Sequence, residues 1–142
     1  MKLEKHFEAL RETIDEINSA LEDEDGLLKH QRRLALMISL GIAELIEVYF
    51  RKLQIMKEGS RIKHDWLKKK DIKEILSNQI TSSIDNIKNI DKILEICNKV
   101  EKRRNDLAYS SPLTEEDLLK EEINDFFEVK EIIENVVGEL NL

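Results

Sequence analysis

The stretch Leu34–Phe50, with the sequence LALMISLGIAELIEVYF, is the most apolar part of the chain and decides the fold. Its apolar residues recur at helical spacing over a wide face, so we predict a central helix from about 27 to 57 that contacts several neighbours. Glu44 and Glu47 interrupt the run, which therefore indicates a core helix and not a membrane span. Gly41 is less favourable than alanine inside a helix by about 1 kcal/mol and predicts a close helix crossing.

Four further helical patterns surround this central one. The first, over about 2–23, carries a narrow apolar stripe, and a short helix is expected over 71–76. A long helix is expected from 82 or 83 to 109, and a last one over Thr114–Leu140 starts with a capping box. Four glycines and one proline are too few for the turns of an all-β fold. We therefore predict an all-α fold, an up-and-down bundle of four long helices plus one short helix, in a single domain over 1–142.

The formal net charge of −7 is distributed unevenly along the chain. Residues 1–25 and 113–142 carry net charges of −6 and −8, whereas residues 26–112 carry +7. Overall acidity therefore does not exclude an anionic ligand, because a basic middle can present one positive face. There is no glycine-rich phosphate loop or metal-ligand spacing, so we expect no cofactor and no metal. A charged N-terminal pattern and a single cysteine lead us to expect a cytoplasmic protein with no membrane span.

The densest cluster of groups suited to phosphate chemistry lies in Glu101–Asp117, EKRRNDLAYSSPLTEED, which ends one predicted helix and begins the next. The cluster consists of Arg103, Arg104, Asn105 and Tyr109. Asn105 and Tyr109 share a helix face because they are four positions apart. Two guanidinium groups beside an amide and a phenol are able to hold a phosphodiester through charge-assisted bonds. The alternative is that the arginines only complement a helix C-terminus.

Other charged features give weaker signals. Arg61–Lys70 surrounds the only tryptophan with basic residues, which suits either single-strand stacking or a short helix that Trp66 anchors to the core. Glu44 and Glu47 share a helix face, and we expect them to face solvent or to pair with basic side chains of a neighbouring helix. Solvated positions are predicted for the histidines, none of which stands in a motif: His6, His30 and His64.

The segment Arg104–Tyr109, RNDLAY, at the end of a long helix in a small all-α chain, resembles the Arg-Asn-x-Leu-x-His signature of the HEPN superfamily. The resemblance extends over the general layout of four or five helices, and its specific part is this short segment. It implies a helical bundle that accompanies a minimal nucleotidyltransferase, or acts as an RNase, in a toxin–antitoxin or defence system. It also implies a homodimer with a composite site, in which the arginine holds the phosphate and the histidine assists attack by the ribose 2′-hydroxyl without metal.

This chain departs from the signature at Tyr109, which occupies the histidine position. A phenol has an ordinary pKa near about 10 and an imidazole near about 6.5, so tyrosine is a poor general base at neutral pH, although it still donates hydrogen bonds and stacks. The expected function is therefore RNA or nucleotide binding in a cleft lined by Arg103, Arg104, Asn105 and Tyr109. One alternative is RNase activity, with Arg104 as phosphate clamp and Tyr109 in the histidine role. Another is a protein-interaction adaptor that uses the first-helix stripe and Phe126–Phe127 as contact surfaces.

Overall fold

The computed structural model describes residues 2–109 and 113–142, and these residues form an all-α structure. Its α-helices are α1 (Leu3–Glu22), α2 (Gln31–Lys52), α3 (Ile72–Ser77), α4 (Ile90–Tyr109) and α5 (Asp117–Val137). Short 3-10 turns occupy Leu27–His30, His64–Lys68 and Ile84–Asn86. The described residues form no β-strand, and the prediction of an all-α bundle with four long helices and one short helix is confirmed.

Helix α2 is the centre of the bundle because it packs against α1, α4 and α5. The close crossing predicted at Gly41 is present. A Cβ added at this position would lie 2.9 Å from Phe126 Cε2 and 3.1 Å from Thr13 Cγ2. The missing side chain therefore lets α5 and α1 approach the same turn of α2.

Helix α2 is shorter than the predicted helix over 27–57, and this expectation was wrong at both ends. The first residues form the 3-10 turn Leu27–His30, and the α-helix ends at Lys52. Gln54 has a left-handed φ of +60°, which interrupts the helical backbone. The chain then pairs with the segment before α4, where Thr81 N donates to Ile55 O at 2.7 Å. The apolar side chains of this region are packed against the core without being helical.

Helix α4 begins at Ile90 and not at 82 or 83. Asn89, with a left-handed φ of +64°, separates it from the 3-10 turn Ile84–Asn86. The isoleucines at 84, 87 and 90 are all buried, as a helical stripe would require. Their spacing of three also matches the period of a 3-10 turn, which explains why the pattern extended the predicted α-helix too far.

Helix α5 begins at Asp117, and the predicted capping box does not form. Its N-cap residue is Glu116, whose side chain makes no cap hydrogen bond. The Glu116 carboxylate instead accepts a hydrogen bond from Leu27 N at 3.1 Å, which ties the start of α5 to the turn before α2. The helix ends at Val137, before the predicted limit. A proline lacks the amide donor that a continuing helix needs, so the sequence predicts that Pro112 stops the preceding helix. Pro112 lies outside the described residues.

Candidate functional site

Three of the predicted site residues lie together on the last turns of α4. Arg104 Nη2 donates a hydrogen bond to the Tyr109 hydroxyl at 3.2 Å, and the Arg104 guanidinium carbon lies 5.5 Å from the centroid of the phenol ring. The Tyr109 side chain is 69% exposed, and Asn105 is exposed beside it. The buried Nε of Arg104 has no hydrogen-bond partner among the described residues. A guanidinium, an amide and an aromatic ring therefore share one exposed surface, which we call the α4 end.

Arg103, the fourth predicted residue, is turned toward α5 instead. Its Nη2 donates to the Asp125 carboxylate, and its Nη1 lies 3.3 Å from Glu122 Oε1. The Arg103 side chain is 14% exposed. This guanidinium fastens α4 to α5, so the structure brings only Arg104, Asn105 and Tyr109 of the predicted residues together at the α4 end.

Glu122, which faces Arg103, is a buried carboxyl group with few partners. It has no exposed surface, and neither of its oxygens accepts a hydrogen bond from the described residues. Burial raises the pKa of Glu122 to about 8, although Arg103 opposes the shift. The carboxylates of Asp125 and Glu101 act in the same direction as burial. Most molecules therefore carry a neutral Glu122 at pH 7.

Gln31, buried at the start of α2, holds the chain on both sides of residues 110–112. Its Nε2 donates to Leu107 O at 3.0 Å, and its Oε1 accepts a hydrogen bond from Leu113 N at 3.1 Å. One amide side chain thus binds the last turn of α4 and the residues that lead into α5. These contacts set the position of Tyr109, which follows Leu107 by half a turn.

The basic segment Arg61–Lys70 folds back onto α4 and brings a histidine to the helix that carries the motif. His64 Nδ1 lies 3.0 Å from Ser39 Oγ and 3.4 Å from Glu101 Oε1. Ser39 and Glu101 have no exposed surface, whereas the His64 side chain is 27% exposed. Glu101 precedes Arg104 by three residues, so His64 lies about one helical turn from this arginine along α4.

Trp66, in the middle of that segment, is half-buried and packs against the hydrophobic core. Lys63 Nζ lies 5.8 Å from the centroid of its ring. The lysines at 68, 69 and 70 are exposed. Of the two interpretations of this segment, anchoring by the tryptophan agrees with the observed packing.

His6 is buried, and the prediction that it is solvated was wrong. Its Nδ1 contacts the Glu44 carboxylate and its Nε2 contacts the Glu47 carboxylate, so the acids flank opposite edges of the ring. Burial lowers the pKa of His6, but the two carboxylates outweigh this effect and raise it to about 9. His6 is therefore an imidazolium at neutral pH. Glu44 and Glu47 pair with a basic group on a neighbouring helix, which is one of their two predicted roles.

Glu47 joins three parts of the structure. Its Oε1 accepts a hydrogen bond from Ile62 N at 2.9 Å, and its Oε2 accepts one from Arg51 Nε at 3.1 Å. Burial by itself would raise the pKa of Glu47, but His6 and these two donors lower it to about 2. We refer to His6, Glu44, Glu47 and Arg51 as the His6 cluster.

A cavity of about 730 Å³ opens between α1, α2 and residues 56–65. The His6 cluster and His64 line it. Arg104 and Tyr109 do not, so the cavity is separate from the α4 end. Its volume lies within the range of about 300–1,000 Å³ that is usual for small-molecule sites.

Comparisons with protein-family models, with curated proteins and with solved structures find no match for this chain. Its function has to be inferred from side-chain geometry and from the short motif. Within residues 2–109 and 113–142, no helix is long and apolar enough to cross a membrane. In the same residues, no group of three or more His, Cys, Asp or Glu side chains is placed to hold a metal ion. In the His6 cluster, for example, the carboxylates lie on opposite sides of the ring.

Sequence reasoning located the α4 end but missed the contacts of His64 and of His6. These contacts join residues 25 to 41 positions apart, which no local pattern connects. One signal was present in the sequence. Glu44 and Glu47 interrupt the most apolar helix, and carboxylates on a largely buried helix require cationic or hydrogen-bonding partners. That rule predicts a partner but does not identify it as His6.

Proposed function

We propose that this chain binds RNA or a nucleotide at the α4 end, through Arg104, Asn105 and Tyr109. In this proposal it is a HEPN-like protein of a toxin–antitoxin or defence system, which acts as a homodimer and has a nucleotidyltransferase-type protein as a further partner. The observation that carries the proposal is the Arg104–Tyr109 pair. The Arg104 guanidinium lies against the exposed phenol ring of Tyr109. The group that accepts its hydrogen bond there is the neutral Tyr109 hydroxyl and not a carboxylate.

The chemistry of the α4 end suits a single-stranded nucleic acid. An exposed aromatic ring stacks on any base, and such stacking contributes about 1–3 kcal/mol per base. A guanidinium carries five N–H donors, so Arg104 retains donors for a phosphate beyond the one that it gives to Tyr109. The exposed amide of Asn105 adds a donor and an acceptor that match the edges of a base.

The same geometry favours binding over RNA cleavage. The Tyr109 hydroxyl accepts a hydrogen bond from Arg104, so its own proton is available for donation to a phosphate oxygen. Metal-independent cleavage also requires a group that removes the proton of the attacking 2′-hydroxyl. Neither a guanidinium nor an amide does this at neutral pH. We therefore expect RNase activity to be weak or absent unless a further residue joins the α4 end.

Fluorescence anisotropy with a short single-stranded RNA tests this proposal. We expect Arg104→Ala to weaken binding about tenfold or more, because a charge-assisted hydrogen bond contributes about 1.5–3 kcal/mol. Tyr109→Ala is expected to have a similar effect through the loss of stacking. Lys102→Ala is the matched control, since it removes one positive charge from an exposed position of the same helix. If the wild type does not bind the RNA, a site at the α4 end is contradicted. It is also contradicted if Arg104→Ala and Lys102→Ala lose the same amount of RNA affinity at every salt concentration of a series.

The alternative proposal is an interaction adaptor, and of the two surfaces expected for it the first-helix stripe has one exposed large apolar residue, Leu21, which is 51% exposed. Phe126 is fully buried and contacts Phe127 edge to face, with 5.3 Å between ring centroids, so this pair contributes to the core. Leu36 and Leu40 are 40% and 54% exposed and lie one turn apart on α2. Light scattering of the wild type and of Leu40→Glu tests this face. A dimer that Leu40→Glu dissociates would favour the adaptor surface, and a wild type that is monomeric over the whole concentration range would contradict the homodimer.

A further inference from the structure

The cavity between α1, α2 and residues 56–65 contains a histidine whose orientation is set by buried groups. Ser39 has one hydroxyl proton and donates it to the Glu101 carboxylate. Ser39 Oγ therefore accepts the hydrogen bond that joins it to His64 Nδ1. It follows that Nδ1 carries the proton of this hydrogen bond, and that Nε2 is the nitrogen left for a ligand.

The edge of the His64 ring that carries Nε2 is the one that faces the cavity. The opposite edge lies against Ser39 and Glu101, which have no exposed surface, while His64 itself lines the cavity. No hydrogen bond joins Nε2 to a residue in the described part of the chain. The ring is thus held in one orientation and one tautomer, with its second nitrogen open to a ligand.

The charged residues that line the cavity leave an excess of one positive charge, whereas the buried Glu101 carboxylate contacts the opposite edge of the His64 ring. Within the His6 cluster, two carboxylates are matched by an imidazolium and a guanidinium, so the cluster adds no net charge. Among the exposed residues of 56–65 that line the cavity, Lys57, Arg61 and Lys63 are cationic, whereas Glu58 and Asp65 are anionic. The cavity is therefore locally positive in a chain whose formal net charge is −7.

Apolar groups complete the lining. Leu40, which is 54% exposed, and the half-buried Met56 both face the cavity. The cavity thus offers a hydrogen-bonding imidazole, exposed cations and an apolar surface, a combination that suits an anionic group attached to an organic moiety. Imidazolium and guanidinium groups bind phosphate through charge-assisted hydrogen bonds.

We propose that this cavity binds a small phosphate monoester of about mononucleotide size. The phosphate is held by Arg61 and by a hydrogen bond in which one proton lies between a phosphate oxygen and His64 Nε2, and the organic part of the ligand lies against Leu40. The buried Glu101 and Ser39 act as positioning residues, because they orient the imidazole without contacting the ligand. The site does not depend on nucleic-acid binding at the α4 end, from which it is separate.

Titration of the full chain with adenosine 5′-monophosphate tests the proposal, with the ring signals of the histidines followed by NMR. We expect the His64 signals to shift and saturate, with a dissociation constant at or below the millimolar range. His64→Asn is expected to weaken binding about tenfold or more through loss of the charge-assisted bond. Arg61→Ala, at an exposed position where folding is not disturbed, is expected to weaken it several-fold.

His30→Asn is the matched control, because His30 is also a partly exposed histidine that contacts a carboxylate, Asp23 at 2.7 Å, but does not line the cavity. It should leave the affinity within about twofold of the wild type. Adenosine, which lacks the phosphate, should bind at least about tenfold more weakly than the monophosphate. The proposal is overturned if the monophosphate shows no saturable effect up to about 10 mM, if His64→Asn and Arg61→Ala bind it as the wild type does, or if adenosine binds equally well.

Discussion

Two buried glutamates of this protein, Glu47 and Glu122, have pKa values on opposite sides of the ordinary one, about 2 and about 8 respectively. Both belong to long helices of the core, and neither has more than 3% of its surface exposed. Glu47 receives hydrogen bonds from Ile62 N and Arg51 and also contacts the His6 imidazolium. Glu122 has one guanidinium nitrogen at 3.3 Å, which makes no hydrogen bond with it, and carboxylates nearby. Burial at similar depth thus leaves a carboxyl group charged or neutral according to the donors that surround it.

The largest expected effect comes from removal of the well-partnered carboxylate. Glu47→Gln should lower the free energy of unfolding by about 3 kcal/mol, because it leaves the buried His6 imidazolium with one carboxylate instead of two. The amide oxygen of the glutamine can still accept the hydrogen bond from Ile62 N, so the decrease in the free energy of unfolding comes from the missing negative charge. Urea denaturation at neutral pH measures it. Glu44→Gln is the control. The Glu44 side chain is 23% exposed, so this variant should lose less free energy of unfolding than Glu47→Gln. Equal losses in both variants would contradict the special position of Glu47.

A smaller effect is expected from titration of His6. Its pKa is raised from 6.5 to about 9 in the folded state, so its contribution to stability is complete below pH 6.5 and is lost as pH rises through about 9. The stability difference between the wild type and His6→Asn should therefore fall by about 2 kcal/mol across this range. Denaturation series at several pH values measure the difference. A difference that does not change with pH would show that His6 is not protonated in the folded protein.

The contribution of Glu47 to the stability of the same cluster depends on pH in the opposite direction. The pKa of Glu47 is lowered from 4.5 to about 2, so its contribution is complete above pH 4.5 and is lost as pH falls toward 2. The His6 cluster is therefore expected to stabilise the fold most between these two limits, over the mildly acidic and neutral range.

The smallest effect is expected at Glu122. Its pKa is raised from 4.5 to about 8, so the unfolded chain ionises this group more readily, and Glu122 reduces stability progressively as pH rises from 4.5 to 8. Glu122→Gln should therefore be more stable than the wild type by at least about 1 kcal/mol near pH 8, with less gain near pH 5. Thermal or urea unfolding at the two pH values measures this. A variant that is less stable at both values would mean that the ion pair with Arg103 outweighs the desolvation of Glu122.

Much of the bundle followed from local patterns. The apolar stripe of α1 predicted a helix within one residue of each observed end, because burial of one helical face imposes a 3.6-residue period. The longest failures lie at 53–57 and 82–89, where apolar side chains pack against the core on a backbone that is not α-helical. Hydrophobic spacing reports burial, but the left-handed residues Gln54 and Asn89 that end the helical backbone are not marked by it.

The candidate sites also contain contacts that local spacing predicts and contacts that it does not predict. Arg104 and Tyr109 are separated by only about 7.5 Å along one helix axis, so their long side chains can reach each other at the α4 end, and the sequence was sufficient to associate them. Arg103 was grouped with them for the same reason. Its neighbours on α5, Asp125 and Glu122, are 22 and 19 positions away, and only packing of the two helices brings them to its guanidinium.

The sequence by itself determined that this protein is a helical bundle with a polar, arginine-containing end on its third long pattern, because both properties depend on residues within a few turns of each other. Only the tertiary structure decided which charges face one another: His6 between Glu44 and Glu47, Arg103 against Glu122, and His64 on Ser39 and Glu101. The reason is that a side chain's charge state depends on burial and on atoms within a few ångströms, and those atoms belong to helices that are distant in the chain.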